Sequence, residues 1–452
     1  MDTKFRNRKY FIINQLKSIR LPLGMALILL LAAELPAVPL ALPENLPANP
    51  PAANQILTAL MQDLAGQHEQ VVAIQRELIK RPALNPEHQG DGEHEKAQWI
   101  ESWLREHGYT EVIRLDSPDE RVPTKMRPNL VIQYPETSPE QPSPTLWLIA
   151  QMDINPPGEL MGWQGTPYAV RVDGDHLHGA GAEDNNQGIT SCLLLLETLK
   201  RRQAAPPTRL GVIFTAGGNS NRDLGLDYIL ANNPELFAPD DLFVLFEYGD
   251  RLGSLIDVAE KRYLWLKISV RGRPAFAAHP YEAVNPVPAA VELMYSLNSL
   301  NRIFPQTNDL FLNPGNFFTL TRVEETNQAV NYIPGEMTFH MDIRLLPECD
   351  PEEVLKVITH QASLVEQRYR TPIFVEQIGL GKPGLPISTE APLVRELQKT
   401  IKDLLEVEAR PVGLDGTTLA NFLRFKGFQA VAWSIHRPKR GSRPKTRPSR
   451  PT

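Results

Sequence analysis

Residues 146–188 read LWLIAQMDINPPGELMGWQGTPYAVRVDGDHLHGAGAEDNNQG. A short, uninterrupted apolar run, Leu146 to Ala150, has the character of a strand buried on both faces. It ends in Gln151 and Asp153, two polar residues spaced two apart. Further on, a Gly-rich turn delivers Glu183, Asp184 and Asn185 at the start of a helical stretch. Polar groups brought together by a strand end and a helix-opening turn are how a metal site is assembled at the carboxyl edge of a parallel sheet.

Outward from this stretch, strands and helices alternate. NLVIQY and TLWLIAQ are followed by a helix over 187–202, then RLGVIFTA, a helix over 223–232 and DLFVLFEY. Upstream, a helix is expected from Gln55 past Ile79, with Leu57, Leu60, Met61, Leu64, Val71, Val72, Ile74 and Leu78 at helical spacing. A second helix carries Trp99, Ile100, Trp103 and Leu104 on one face. The alternation argues for an α/β fold: a mostly parallel sheet with helices on both faces, over residues 55–264. At Lys261 the texture changes to strand YLWLKISVRG, helix 286–301, strands FFTLTRVEE and EMTFHMDIRLLP, helix 351–368 and strand TPIFVEQIG. That order is β-α-β-β-α-β, an inserted α+β ferredoxin-like domain over 265–380. The first pattern resumes over 381–436, with a helix at 391–406, the turn GLDGTT, a helix at 417–426 and the strand QAVAWSI.

The chain has 452 residues, room for two or three domains at about 150 residues each. Its net charge of −6 gives no sign of a nucleic-acid partner. Cys192 and Cys349 lie in apolar stretches and read as buried free thiols. Lys4, Arg6, Arg8, Lys9, Lys17 and Arg20 precede the apolar run LPLGMALILLLAA (21–33), which has the form of an export signal. Residues 1–42 are therefore expected to be a signal peptide or signal anchor, and 43–54 a Pro/Asn-rich linker. The body would then be exported, periplasmic or extracellular, or tied to a membrane through this segment alone. Residues 437–452 hold seven Lys or Arg and no acid, and read as a basic disordered tail.

The order of motifs resembles the co-catalytic zinc exopeptidases and deacylases, such as acetylornithine deacetylase, succinyl-diaminopimelate desuccinylase, carboxypeptidase G and aminoacylase. AQMDINPPGE is similar to the family's His-x-Asp strand end, and HGAGAEDNNQG to its Gly-Arg-Gly-x-x-Asp-Asn turn. FTAGGNSNRDLGLDYIL stands in place of the Asp-Glu-Glu segment, and GRPAFAAHP in place of a lid-domain histidine motif. NYIPGEMTFHMDIR resembles Asn-x-Ile-Pro followed by Asp-x-Arg, and GLDGTTLA the Gly-Gly-Thr loop. The resemblance implies a lid and dimerisation domain and two zinc ions about 3.5–4 Å apart that activate a water.

Carried over position by position, the resemblance places Gln151 where the first zinc-binding His stands. Asp153 stands at the residue that orients that His. Asp184 takes the bridging carboxylate, Gly218 the general-base Glu, Asn219 the next ligand and Glu247 the ligand after the following strand. The lid histidine falls on Phe276, with His279 three residues on. The last His ligand has no counterpart beyond a lone His436. Two carboxylates, Asp184 and Glu247, therefore remain of the five metal ligands. Asn331 and Arg344 resemble groups that hold a substrate carboxylate, although Arg344 beside Asp342 also reads as an ion pair. Gly416 and Thr417 open a helix and could offer amides to an anion; Thr417 could equally cap it.

Three functions stay open. One is a non-catalytic homologue whose family reaction is zinc-dependent hydrolysis of amide bonds in N-acyl amino acids or small peptides. The second is an active hydrolase with a rearranged site drawing on Glu183, Glu247, His176 or His178. The third is an envelope ligand-binding or interaction protein. A homodimer through the inserted domain fits all three.

Overall fold

The computed structural model describes residue 63 and residues 66–135, 144–174, 176–204, 206, 208–218, 222–324, 329–382 and 385–436. The N-terminal segment, the linker, the basic tail and Asn219 lie outside the described residues. The chain divides into two units.

The larger unit is built on helices α1 (His68–Ile79) and α2 (His94–Glu106) and strands β1 (Ile113–Pro118), β2 (Met126–Tyr134) and β3 (Thr145–Gln151). A small hairpin of β4 (Arg171–Asp173) and β5 (His176–His178) follows. Then come α3 (Gln187–Arg202), β6 (Arg209–Thr215), α4 (Leu226–Asn232), β7 (Leu242–Asp250) and β8 (Leu255–Glu260). Every residue of β3 is buried. It is flanked by β6 and β7, both parallel to it, which is where an unbroken apolar run belongs. Trp147 and Ile149 join the core cluster of Leu226, Ile229, Leu419, Phe422 and Leu423. The alternate residues Leu148 and Ala150 are equally buried, and α3 packs against β3. Helices thus cover both faces.

The smaller unit comprises Ala259–Pro386 and 412–417, somewhat wider than 265–380. It contains β9 (Arg262–Arg271), β10 (Ala275–Phe276), α5 (Val287–Leu297), α6 (Leu300–Ile303), β11 (Phe317–Val323), β12 (Tyr332–Ile333), β13 (Glu336–Leu345), α7 (Pro351–Tyr369) and β14 (Ile373–Leu380). Its main sheet is antiparallel in the order β11-β13-β9-β14, the ferredoxin-like arrangement. Leu264, Leu266, Ile268 and Val270 alternate onto the helical face with Ala290, Leu293, Val354 and Ile358, while Trp265 points away, half-exposed.

The chain closes with α8 (Pro392–Leu405), β15 (Arg410–Leu414), α9 (Leu419–Phe425) and β16 (Gln429–Ile435). The large sheet runs β1-β2-β6-β3-β7-β16-β8-β15, parallel from β6 to β16 and antiparallel at its β1-β2 edge. Sequence reading did not anticipate β1, β8 or β15. β1 (IRLDSP) lies at the edge, carries charges and is mostly half-exposed, so it lacks the apolar run of a central strand. The helix expected over 417–426 starts at Leu419, and its cap is Thr418, which accepts the Ala420 N–H, rather than Thr417. Cys192 and Cys349 are free and buried. Burial pushes both thiols up, Cys349 to about 11, so neither is a ready nucleophile.

Candidate metal centre

Three consecutive amides fix the loop after β6. Ala216 N–H donates to Asn129 Oδ1 (2.8 Å), Gly217 N–H to Glu93 Oε1 (2.9 Å) and Gly218 N–H to Asp153 Oδ1 (2.8 Å). Gly217 turns the chain at φ +59°, a conformation that glycine adopts without strain. Asp153 is fully buried, and its other oxygen accepts Asn85 Nδ2 at 2.8 Å. Asn85 Oδ1 accepts a guanidinium N–H from Arg127 at 2.6 Å. Arg127, also fully buried, grips both oxygens of Glu93 at 2.5 Å and reaches Asp119 at 3.2 Å. The bonds close a ring: Asp153, Gly218, Gly217, Glu93, Arg127, Asn85 and back. Arg121, hydrogen-bonded to Asp119, holds that carboxyl down at about 2.

Lys96 lies beside the ring, on the apolar face of α2. Its Nζ donates to Met152 O (2.7 Å) and Asn186 Oδ1 (3.0 Å), tying the end of β3 to the turn that carries Asp184. Desolvation lowers its pKa to about 7, with Asp153 and Glu93 pulling the other way.

Asp184 sits in that turn, joined to Asn185 by a cis peptide. Asn185 Nδ2 is anchored on Phe246 O. Gln151 and Asp184, placed at one sheet edge by the strand end and the Gly-rich turn, do come together: Gln151 Nε2 donates to Asp184 Oδ1 at 3.1 Å. Gly218 lies against the same carboxamide. A Cβ built on it would stand 2.6 Å from Gln151 Cβ and 2.9 Å from Cδ, and closer still to Oε1. Glu247 projects from β7 and accepts Leu419 N–H at 2.6 Å. The N-terminus of α9 is therefore supplied with the protein's own anion, and Gly416 and Thr417 precede an occupied helix end. Glu247→Ala is expected to cost about 1 kcal/mol of stability, the usual worth of an N-terminal cap, measured by urea unfolding. His436 donates its backbone N–H to Asp250 O, and its Nδ1 stands 3.9 Å from Glu183 Oε1. His176 and His178 stack at 6.4 Å within the β4-β5 hairpin, opposite Asp173 and Arg171.

In the smaller unit, Arg344 forms a two-pronged ion pair with Asp342 (2.8 and 3.0 Å), the structural reading of that pair. Asn331 is exposed, and its carbonyl accepts Ala277 N–H. His279 is exposed, with its ring 6.0 Å from that of Phe276. Lys261, which sequence reading passed over, is fully buried. It donates to Asp415 Oδ1 (2.7 Å), Asn313 O (2.7 Å) and Gly315 O (2.6 Å), under the Phe317 ring.

A pair of zinc ions needs several carboxylates and imidazoles free to converge. At the positions in question Asp184 accepts a carboxamide N–H, Asp153 accepts two N–H groups, Glu247 accepts a helix amide and residue 218 has no side chain. Among the described residues no group of three or more His, Cys, Asp or Glu is disposed to hold a metal. The described residues do not fit a two-metal centre.

The sequence profile of the peptidase dimerisation domain matches residues 258–369. An uncharacterized metallohydrolase of Methanocaldococcus jannaschii is 30% identical over 383 residues, covering 81% of this chain and 92% of the relative. The chain belongs to the M20 metallohydrolase family. Human carnosine dipeptidase 1 shares the fold at 14% identity with a TM-score of 0.66, over 86% of this chain and 92% of that one. A Bacillus subtilis M20 peptidase described as dinuclear metal binding does so at 15% identity and a TM-score of 0.53, over 81% and 88%. The M20 dimerisation match falls on the ferredoxin-like unit, which is consistent with a homodimer.

Proposed function

We propose that this M20 chain is a non-catalytic homologue of enzymes that hydrolyse the amide bonds of N-acyl amino acids or small peptides. The observation that carries the reading is the Gln151 carboxamide hydrogen-bonded to Asp184, where the family resemblance asks for an imidazole and a metal. Gly218 supports it: without a general base, hydrolysis slows by roughly 10²–10⁴-fold. What the chain retains is a fold able to take a small amidated or carboxylated ligand, in an exported or membrane-tethered body that pairs through its dimerisation domain. The test is elemental analysis of the purified protein together with hydrolysis assays on N-succinyl, N-acetyl and dipeptide substrates. Substoichiometric metal, no turnover and a melting temperature indifferent to EDTA are expected. Two equivalents of zinc with turnover would overturn the reading.

A second reading, an active hydrolase with a rearranged site, is favoured by one observation, the approach of His436 to Glu183. It requires that Asp184→Ala abolish an amidase activity measurable in the parent protein. Absence of that activity removes it.

A further inference from the structure

We infer that the loop Ala216–Gly218 and Gln151 form a matched plug, in which the missing side chain at 218 lets the loop close onto the strand end and the carboxamide takes over Asp184. This inference rests on the non-catalytic reading and deepens it: the centre is rebuilt as hydrogen-bonded core.

Three observations converge. The first is steric. The Cβ that any residue other than glycine would place at 218 stands 2.6 Å from Gln151 Cβ, inside the distance real Cβ atoms keep. Swinging the Gln151 side chain away relieves the Oε1 and Cδ contacts but not that one, so the loop itself would have to retreat. The second concerns what holds the loop. Its three amides are bound by Asn129, Glu93 and Asp153, all buried, and retreat breaks at least the Gly218–Asp153 bond. The third is chemical. Gln151 is 5% exposed and, as a carboxamide, offers an N–H to the Asp184 carboxylate while adding no charge. A His at 151 could offer the same bond, but its planar ring has one side-chain torsion fewer than the carboxamide with which to avoid the loop. Positions 151 and 218 therefore depend on each other, and restoring a family residue at either one alone meets the other.

The experiment is a thermal-unfolding cycle on the full chain with Gly218→Ala, Gln151→Gly and the double variant, plus Gly218→Glu. Gly218→Ala is expected to lower the melting temperature by roughly 5 °C. Gly218→Glu is expected to lower it further. The double variant should melt higher than the sum of the two single losses allows, because Gln151→Gly removes all three close contacts, the Cβ among them. An unchanged melting temperature in Gly218→Ala, or strict additivity in the double variant, overturns the plug. Neither outcome depends on metal content, which is read on the parent protein by elemental analysis. Two equivalents of zinc with turnover in the parent would sink the non-catalytic reading, whereas additivity would sink the plug alone.

Discussion

Arg127→Met should cost the larger unit about 3–5 kcal/mol, or prevent recovery of folded protein at 37 °C. Arg127 is fully buried and is the cation against which Glu93 and, in part, Asp119 are held. Removing one partner of a buried pair leaves an uncompensated charge in low dielectric, and that penalty exceeds the net worth of the pair. The effect should spread, because Glu93 also holds Gly217 and Asn85 also holds Asp153. The double change Arg127→Met with Glu93→Gln removes most of the stranded charge and should recover a measurable part of the loss in urea unfolding. If Arg127→Met unfolds within 1 kcal/mol of the parent (about fivefold in the unfolding constant), the ring is not a structural unit.

The second large effect concerns pH. Lys96 keeps its proton to about pH 10.5 when unfolded but only to about 7 when folded, because burial disfavours the ammonium more than Asp153 and Glu93 favour it. Between those two values the unfolded chain binds more protons, so stability rises with pH; below 7 the full burial penalty applies. The gap corresponds to roughly 5 kcal/mol, of which about 2–3 kcal/mol should be regained between pH 7 and 9. Lys96→Met fills similar volume and cannot titrate. The variant should lose this slope while also losing the link from Met152 to Asn186. Stability measured at both pH values for both proteins decides the matter, and an identical slope in the variant refutes it.

The parallel centre of the large sheet was readable because β3, β6 and β7 are short apolar runs with both faces covered, a pattern that neither an amphipathic helix nor an edge strand produces. The ferredoxin-like unit was readable from element order alone. Edge strands were not, since β1 alternates charged and half-exposed residues much as a loop does. The meeting of Gln151 with Asp184 followed from the strand end and the Gly-rich turn together with the family resemblance; what the residues do there did not. Arg127 finds Glu93 and Asn85 across 34 and 42 residues, pairings no local spacing encodes. Lys96 did leave a trace. It falls on the same helical face as Ile100, Trp103 and Leu104, where a lone cation announces a buried partner. The capture of the α9 amide by Glu247 left none, because it joins positions 172 apart through the fold.

A turn at the rim of a sheet ordinarily trades its amide protons with water within moments. Here the protons of 216, 217 and 218 are each locked onto an acceptor sealed from solvent. They should exchange for deuterium as slowly as those of the central strands, surrendering only when the whole unit opens.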